Sequence, residues 1–273
     1  MRAVTFSFDP AVIVLIAAAL ALYMRAVRIL ARRGYEVPFW QQVAWYAGLG
    51  LTTVGLLSPV DTLGEELLSA HMIQHLLIAD LAAPLLLVGL RTPVLVFYLP
   101  RPVLVPLARS KQLRAFFRTI RRPLVALPLF IVILYGWHFA FAFGAALDNG
   151  LVHALQHQSF VIGSVLVWWS VIDPKHRRLH GELWKAGHLL GTRLASMFLG
   201  MAFLLMSTPA YSEYYGDRAR DHGMTPLGDQ QLAGGLMMIT DILIMLAVFT
   251  FFFWRSAADH DRGERAARER TAA

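Results

Sequence analysis

Apolar residues run along this chain in blocks of about twenty, separated by short polar stretches, and no strand-like alternation stands out between them. A helix rises about 1.5 Å per residue, so about 20 apolar residues cross the ~30 Å hydrocarbon core of a bilayer. Seven blocks meet or approach that length, at 10–30, 40–57, 67–90, 123–143, 151–172, 188–208 and 231–254. The pattern predicts an all-α fold, a polytopic membrane bundle of seven transmembrane helices filling one domain over 1–254. Prolines at 93, 100, 102 and 106 argue against a spanning helix in 92–122, whose second half reads as an amphipathic piece lying in the interface. The charged segment 255–273 reads as a disordered cytoplasmic tail.

Composition agrees with the blocks, since 57% of the 273 residues are apolar and only 16% charged. The net charge of +7 suggests a nucleic-acid partner only until the cations are placed. Arg25, Arg28, Arg32 and Arg33 follow the first block, eight Lys and Arg lie between Arg91 and Arg122, and Lys175, Arg177, Arg178 and Lys185 follow the fifth block. Further arginines fill the tail. These connections fall on one side of a seven-span topology, and the opposite ones are acidic, neutral or mixed. The positive-inside rule then puts the N-terminus outside and the C-terminus in the cytoplasm, and the charge is accounted for by the bilayer rather than by nucleic acid. The basic flank of the first block follows it, whereas a secretory leader carries its positive region ahead, so this block reads as a retained helix.

The chain has no cysteine, so a bound metal must use His, Met, Asp or Glu. Two apolar blocks carry paired imidazoles in the same pattern, HMIQH at 71–75 and HALQH at 153–157. Residues four apart share a helix face, so His71 aims with His75 and His153 with His157. In the predicted topology both pairs lie near the outer ends of their helices, and His138 lies at a similar depth on a third. Asp229, Gln230, Gln231, Met237 and Met238 reach the same layer; Asp80 and Asp241 lie deeper. Ionisable residues in membrane helices are costly and mark functional sites.

Imidazole with nearby thioether points first to copper, as Cu(I) or Cu(II). Histidines on facing helices also suit haem iron, which keeps open a haem-binding redox protein or a haem-modifying enzyme. A copper transporter is a third reading, but beyond the outer layer only Asp80 and Asp241 continue a path inward. A scaffold whose histidines merely pack between helices is a fourth. No glutamate completes an HExxH zinc site, and the last apolar block has no lysine for a retinal Schiff base.

The stretches AHMIQHLLIADLAAPLLLVGL, WHFAFAFGAALDNGLVHALQHQSFVIGSVLVWWSVID and YGDRARDHGMTPLGDQQLAGGLMM resemble, in order and spacing, three blocks of the integral membrane cytochrome c oxidase assembly factors of the CtaG type, associated with caa-type oxidases. Gln156 stands where that family tends to have Glu, and Met237 and Met238 stand where it tends to have Trp. The resemblance implies a multi-pass protein of the bacterial inner membrane that helps mature the copper centres of a respiratory oxidase. Its partners would be oxidase subunits and a copper donor protein. Together with the residue chemistry it nominates His71, His75, His153 and His157 as copper ligands, with His138 and Asp229 as accessory ligands or orienting groups. Gln74 and Gln156 are candidates for fixing the imidazole tautomers. The role is that of an assembly factor rather than an enzyme.

Overall fold

The computed structural model describes residues 6–172 and 182–272, and among these all regular structure is helical. The helices in chain order are α1 (Pro10–Ala31), α2 (Phe39–Leu57), α3 (Pro59–Gly64), α4 (Leu68–His75), a π-helical segment (Leu76–Ala82), α5 (Ala83–Gly89), α6 (Val94–Tyr98), α7 (Arg101–Arg109), α8 (Lys111–Ile120), α9 (Pro123–Trp137), α10 (Ala140–Asp148), α11 (Gly150–Ile172), α12 (Glu182–Leu205), α13 (Ser212–Asp221) and α14 (Pro226–Ala272). The proline-rich stretch forms three short helices, of which α7 and α8 bury no residue, as expected of an interfacial piece.

Helix occupies each of the seven expected blocks, but fewer qualify as membrane spans. Four stretches, Pro10–Ala31, Leu68–Gly89, Trp184–Leu205 and Pro226–Arg255, are long and apolar enough to cross a bilayer. The pair α9 and α10, bent by 71° at the break, makes a fifth if it is one span. The other two expected spans fall short because of what they carry: Gln41, Gln42, Thr52 and Thr53 in α2, and His153, Gln156, His157 and Gln158 in α11. In α11 the residues that lower its hydropathy are the residues of interest. Helix α14 continues past the last apolar block to Ala272. The Ala, Arg and Glu of this stretch are strong helix formers.

Two apolar clusters organise the bundle. Tyr23, Ala26, Leu30, Val37, Trp45 and Val94 form one around α1, α2 and α6, with Tyr23 stacked on Trp45 at 4.5 Å. The larger cluster joins α4, α9, α10, α11, α12, α13 and α14 through residues such as Met72, Phe130, Phe143, Phe160, Leu199 and Met237. Small residues bring α12 and α14 together: a Cβ on Gly200 would stand 2.9 Å from the Gly234 carbonyl, closer than any side chain tolerates.

The π-helical segment has a local cause. Pro84 has no N–H to give to the carbonyl four residues back, at Asp80, so the regular ladder cannot run through. In the wider register Pro84 would face the carbonyl five residues back, at Ala79, which accepts from Ser164 Oγ of α11 at 2.6 Å. The wider turn separates the histidines of α4 from Asp80.

Candidate functional site

The two HxxQH pairs meet. His71 and His75 lie one turn apart on α4, and His153 and His157 one turn apart on α11, whose first turn is capped by Asn149 Oδ1 accepting from Leu151 N at 2.9 Å. Ring centroids are 4.4 Å apart for His71 and His75, 4.2 Å for His153 and His157, 5.3 Å for His71 and His153, and 4.9 Å for His75 and His157. His71, His75 and His157 are buried and His153 is half-buried. Phe143 packs on His71 at 5.1 Å and stacks on Tyr211 at 4.1 Å, so an aromatic layer covers the cluster.

Nδ1 of His71 and His75 and Nε2 of His153 and His157 are buried without a hydrogen-bond partner. Buried polar atoms in folded proteins are nearly all satisfied, because each orphan costs about 1–3 kcal/mol. An unpartnered imidazole nitrogen is a candidate ligand donor where the proton sits on the other ring nitrogen, and because Nε2 of His71 and His75 hydrogen-bond to each other, one of their two Nδ1 atoms carries the proton.

The fit to a metal is incomplete in this arrangement. Among the described residues no three His, Asp or Glu side chains are disposed to hold a metal ion. His75 Nε2 lies 2.7 Å from His71 Nε2, so one ring donates to the other. Two imidazoles on one tetrahedral metal at about 2.0–2.1 Å have nitrogens about 3.3 Å apart. The pair must open by about half an ångström, a side-chain adjustment, to chelate.

The remaining nominated residues sit elsewhere. His138 ends α9 at the break before α10, with its Nδ1 2.6 Å from the Leu134 carbonyl, so Nδ1 bears the proton and Nε2 is left unpartnered. Phe160 packs against both this ring and the four-imidazole cluster, 4.7 Å from His75 and 6.1 Å from His138. Asp229, at 1% exposure, commits both oxygens to the start of α4: Leu68 N donates to Oδ2 at 2.7 Å and Ser69 N to Oδ1 at 3.0 Å. It thus caps, across 161 residues of chain, the helix that carries HMIQH. Gln230 beside it accepts from Ala210 N at 2.6 Å and donates to the Phe203 carbonyl at 3.3 Å, which latches the end of α12. Gln74 donates to the Gly55 carbonyl at 3.0 Å and to Asp61 at 2.6 Å, so it braces α4 against α2 and α3 instead of orienting an imidazole. Gln156 is buried with its Oε1 unpartnered.

Two tyrosines of the 206–221 connection fasten the cover: Tyr211 Oη donates to the His138 carbonyl at 2.6 Å and Tyr215 Oη to the Gly64 carbonyl at 2.9 Å. Burial holds both phenols above their ordinary range, so they stay neutral donors.

Sequence reasoning passed over Arg193. It is fully buried in α12 and pairs with Asp80 and, at 2.9 Å, with Asp241 of α14. A lone arginine in an apolar block, at about the depth of two aspartates in others, was the available signal.

The fold and this interior define a class: a helical, multi-pass membrane protein with a buried polyhistidine cluster. The chain belongs to the cytochrome c oxidase caa3 assembly factor family, whose family model matches residues 21–259. The match takes in the four clustered histidines, His138, the Asp80–Arg193–Asp241 group and Asp229. Comparison with curated proteins and with solved structures gives no match.

Proposed function

We propose that this assembly factor handles copper for the oxidase. It takes copper at the outer face through His71, His75, His153 and His157 and passes it to an oxidase subunit whose copper centre is being matured. In this reading seven helices cross the bacterial inner membrane, with the N-terminus outside, and a donor protein loads the site. Asp229 acts as an orienting group by fixing the start of α4, and His138 as an accessory donor. Copper is cargo, and no turnover chemistry is assigned.

The observation that carries the reading is four imidazoles from two helices, three buried and one half-buried, with unpartnered nitrogens. Imidazole suits copper, and an uncharged set can release it again, as a delivery protein requires. Packing alone has no need of four mutually facing polar rings, each costly to bury.

The test is metal content and visible spectrum of the detergent-purified protein after exposure to copper. We expect retained copper in the wild type and its loss in His71→Ala/His75→Ala. A stoichiometric haem Soret band, or equal copper retention in both proteins, would overturn the assignment.

A further inference from the structure

Inward of the four-imidazole cluster the bundle encloses a cavity of about 30 Å³. A water or single ion needs about 10–15 Å³ on the same measure, so the space admits a small guest. Its lining includes His75, His138, Met72, Met237, Asp80 and Ser196. His75 therefore belongs both to the outer cluster and to this cavity.

The donors have a definite character. His138 Nε2 carries a lone pair, because Nδ1 is held by the Leu134 carbonyl, and it is buried without a partner. His75 Nδ1 is likewise buried and unpartnered. Met72 and Met237 are 2% and 4% exposed and bring thioethers to the same wall. Imidazole with thioether is a soft, uncharged set that prefers Cu(I) to harder divalent ions.

The charge below matches. Asp80 lines the cavity while its Oδ1 accepts from Arg193, which also donates to Asp241 Oδ1. Two carboxyl groups meet one guanidinium here, so an acidic side chain stands beside the pocket, the polarity that suits a cationic guest.

We propose that this cavity is a second copper position, a Cu(I) site with thioether ligands, stacked inward of the imidazole cluster, with the His75 ring on the wall between the two. The protein then holds two copper ions in different ligand environments, nitrogen-only outside and nitrogen with sulfur inside. The proposal rests on the copper-handling reading above, and the arms of its test separate the two.

Full-length protein in detergent is titrated anaerobically with Cu(I) against a chromophoric chelator, and the loaded form is examined by copper X-ray absorption. The wild type should bind two equivalents and show a copper–sulfur shell. Met72→Leu/Met237→Leu, close to volume-conserving, should bind one equivalent and lose the sulfur shell, and the lipid-exposed control Met201→Leu should change neither. His153→Ala/His157→Ala should lose the outer equivalent and keep the sulfur shell. A wild type that binds a single copper with nitrogen scattering only overturns the inner site and leaves the outer one standing. A sulfur shell that survives the double Met variant overturns it as well. Two equivalents in the His153→Ala/His157→Ala protein would instead count against the outer cluster. Because the sulfur shell is read on the wild type itself, a variant that fails to fold does not shelter the proposal.

Discussion

The bundle buries two polar groups, one on α4 and α11 and the other on the π-helical segment, α12 and α14, and they are built on opposite plans. The imidazole cluster is a set of neutral rings with unpartnered nitrogens, held by packing against Phe143 and Phe160. The Asp80–Arg193–Asp241 group is charged, and its members are paired to one another across three helices. Removing a ring from the first should cost little folding energy and most of the ligand affinity. Removing the cation from the second should do the reverse, because two carboxylates would be stranded in a medium that cannot solvate them. In the proposed function the first group binds copper, and the second holds the helices that surround it.

The largest effect expected from this contrast is at Arg193. Substitution by Leu leaves Asp80 and Asp241 unpaired and should destabilise the protein by about 3–5 kcal/mol, read as loss of folded yield and a lowered Tm in detergent. The His71→Ala/His75→Ala protein should melt within a few degrees of the wild type. Comparable losses in the two proteins would erase the distinction between a binding group and a bracing group.

Asp229 comes next. Asp229→Ala removes the cap on α4 and should cost about 0.5–2 kcal/mol, with Asp229→Asn retaining part of it. Copper retention should fall less than in the histidine variants, since the residue positions α4 and does not itself face the cluster. A full loss of copper with unchanged Tm would make Asp229 a ligand instead.

How much of this was legible along the chain depends on the reach of the interaction. The helical blocks and the pairing of His71 with His75 and of His153 with His157 follow from spacing within one element. That the two pairs meet followed from their common depth in a bundle. The role of Asp229 did not follow: an acidic residue at a helix start reads as a cap or ligand for its own helix, and this one caps a helix more than 150 residues away. His138 shared the depth of the others, but depth does not give azimuth, and its ring packs on Phe160 and Phe203 instead of on the four clustered rings. Two of the seven expected spans are not apolar enough to qualify, because α2 and α11 carry polar residues, among them the buried Gln156 and His157.

The smallest effect concerns the cover. Tyr211→Phe loses one hydrogen bond to the His138 carbonyl and should cost about 0.5–1.5 kcal/mol. Both cover phenols have their titration pushed up by burial. An unfolded tyrosine ionises near pH 10, so above that pH the unfolded chain loses protons that the folded one keeps, and stability falls. The cover should therefore be fully stable below about pH 10 and loosen as pH rises beyond it, with Tyr211→Phe/Tyr215→Phe flattening the dependence. Amide exchange in residues 206–221, followed against pH, is the measurement, and an unchanged alkaline profile in the double variant would remove the tyrosines from the account.

The central claim is that the imidazole cluster supplies copper to the oxidase. The most direct measurement is the ratio of copper to haem in caa3 oxidase purified from cells whose only copy of this factor carries His153→Ala/His157→Ala, with the variant confirmed in the membrane at wild-type level. The account predicts an oxidase that keeps its haem and is depleted of copper. A normal copper-to-haem ratio, with normal oxidase activity, would contradict it.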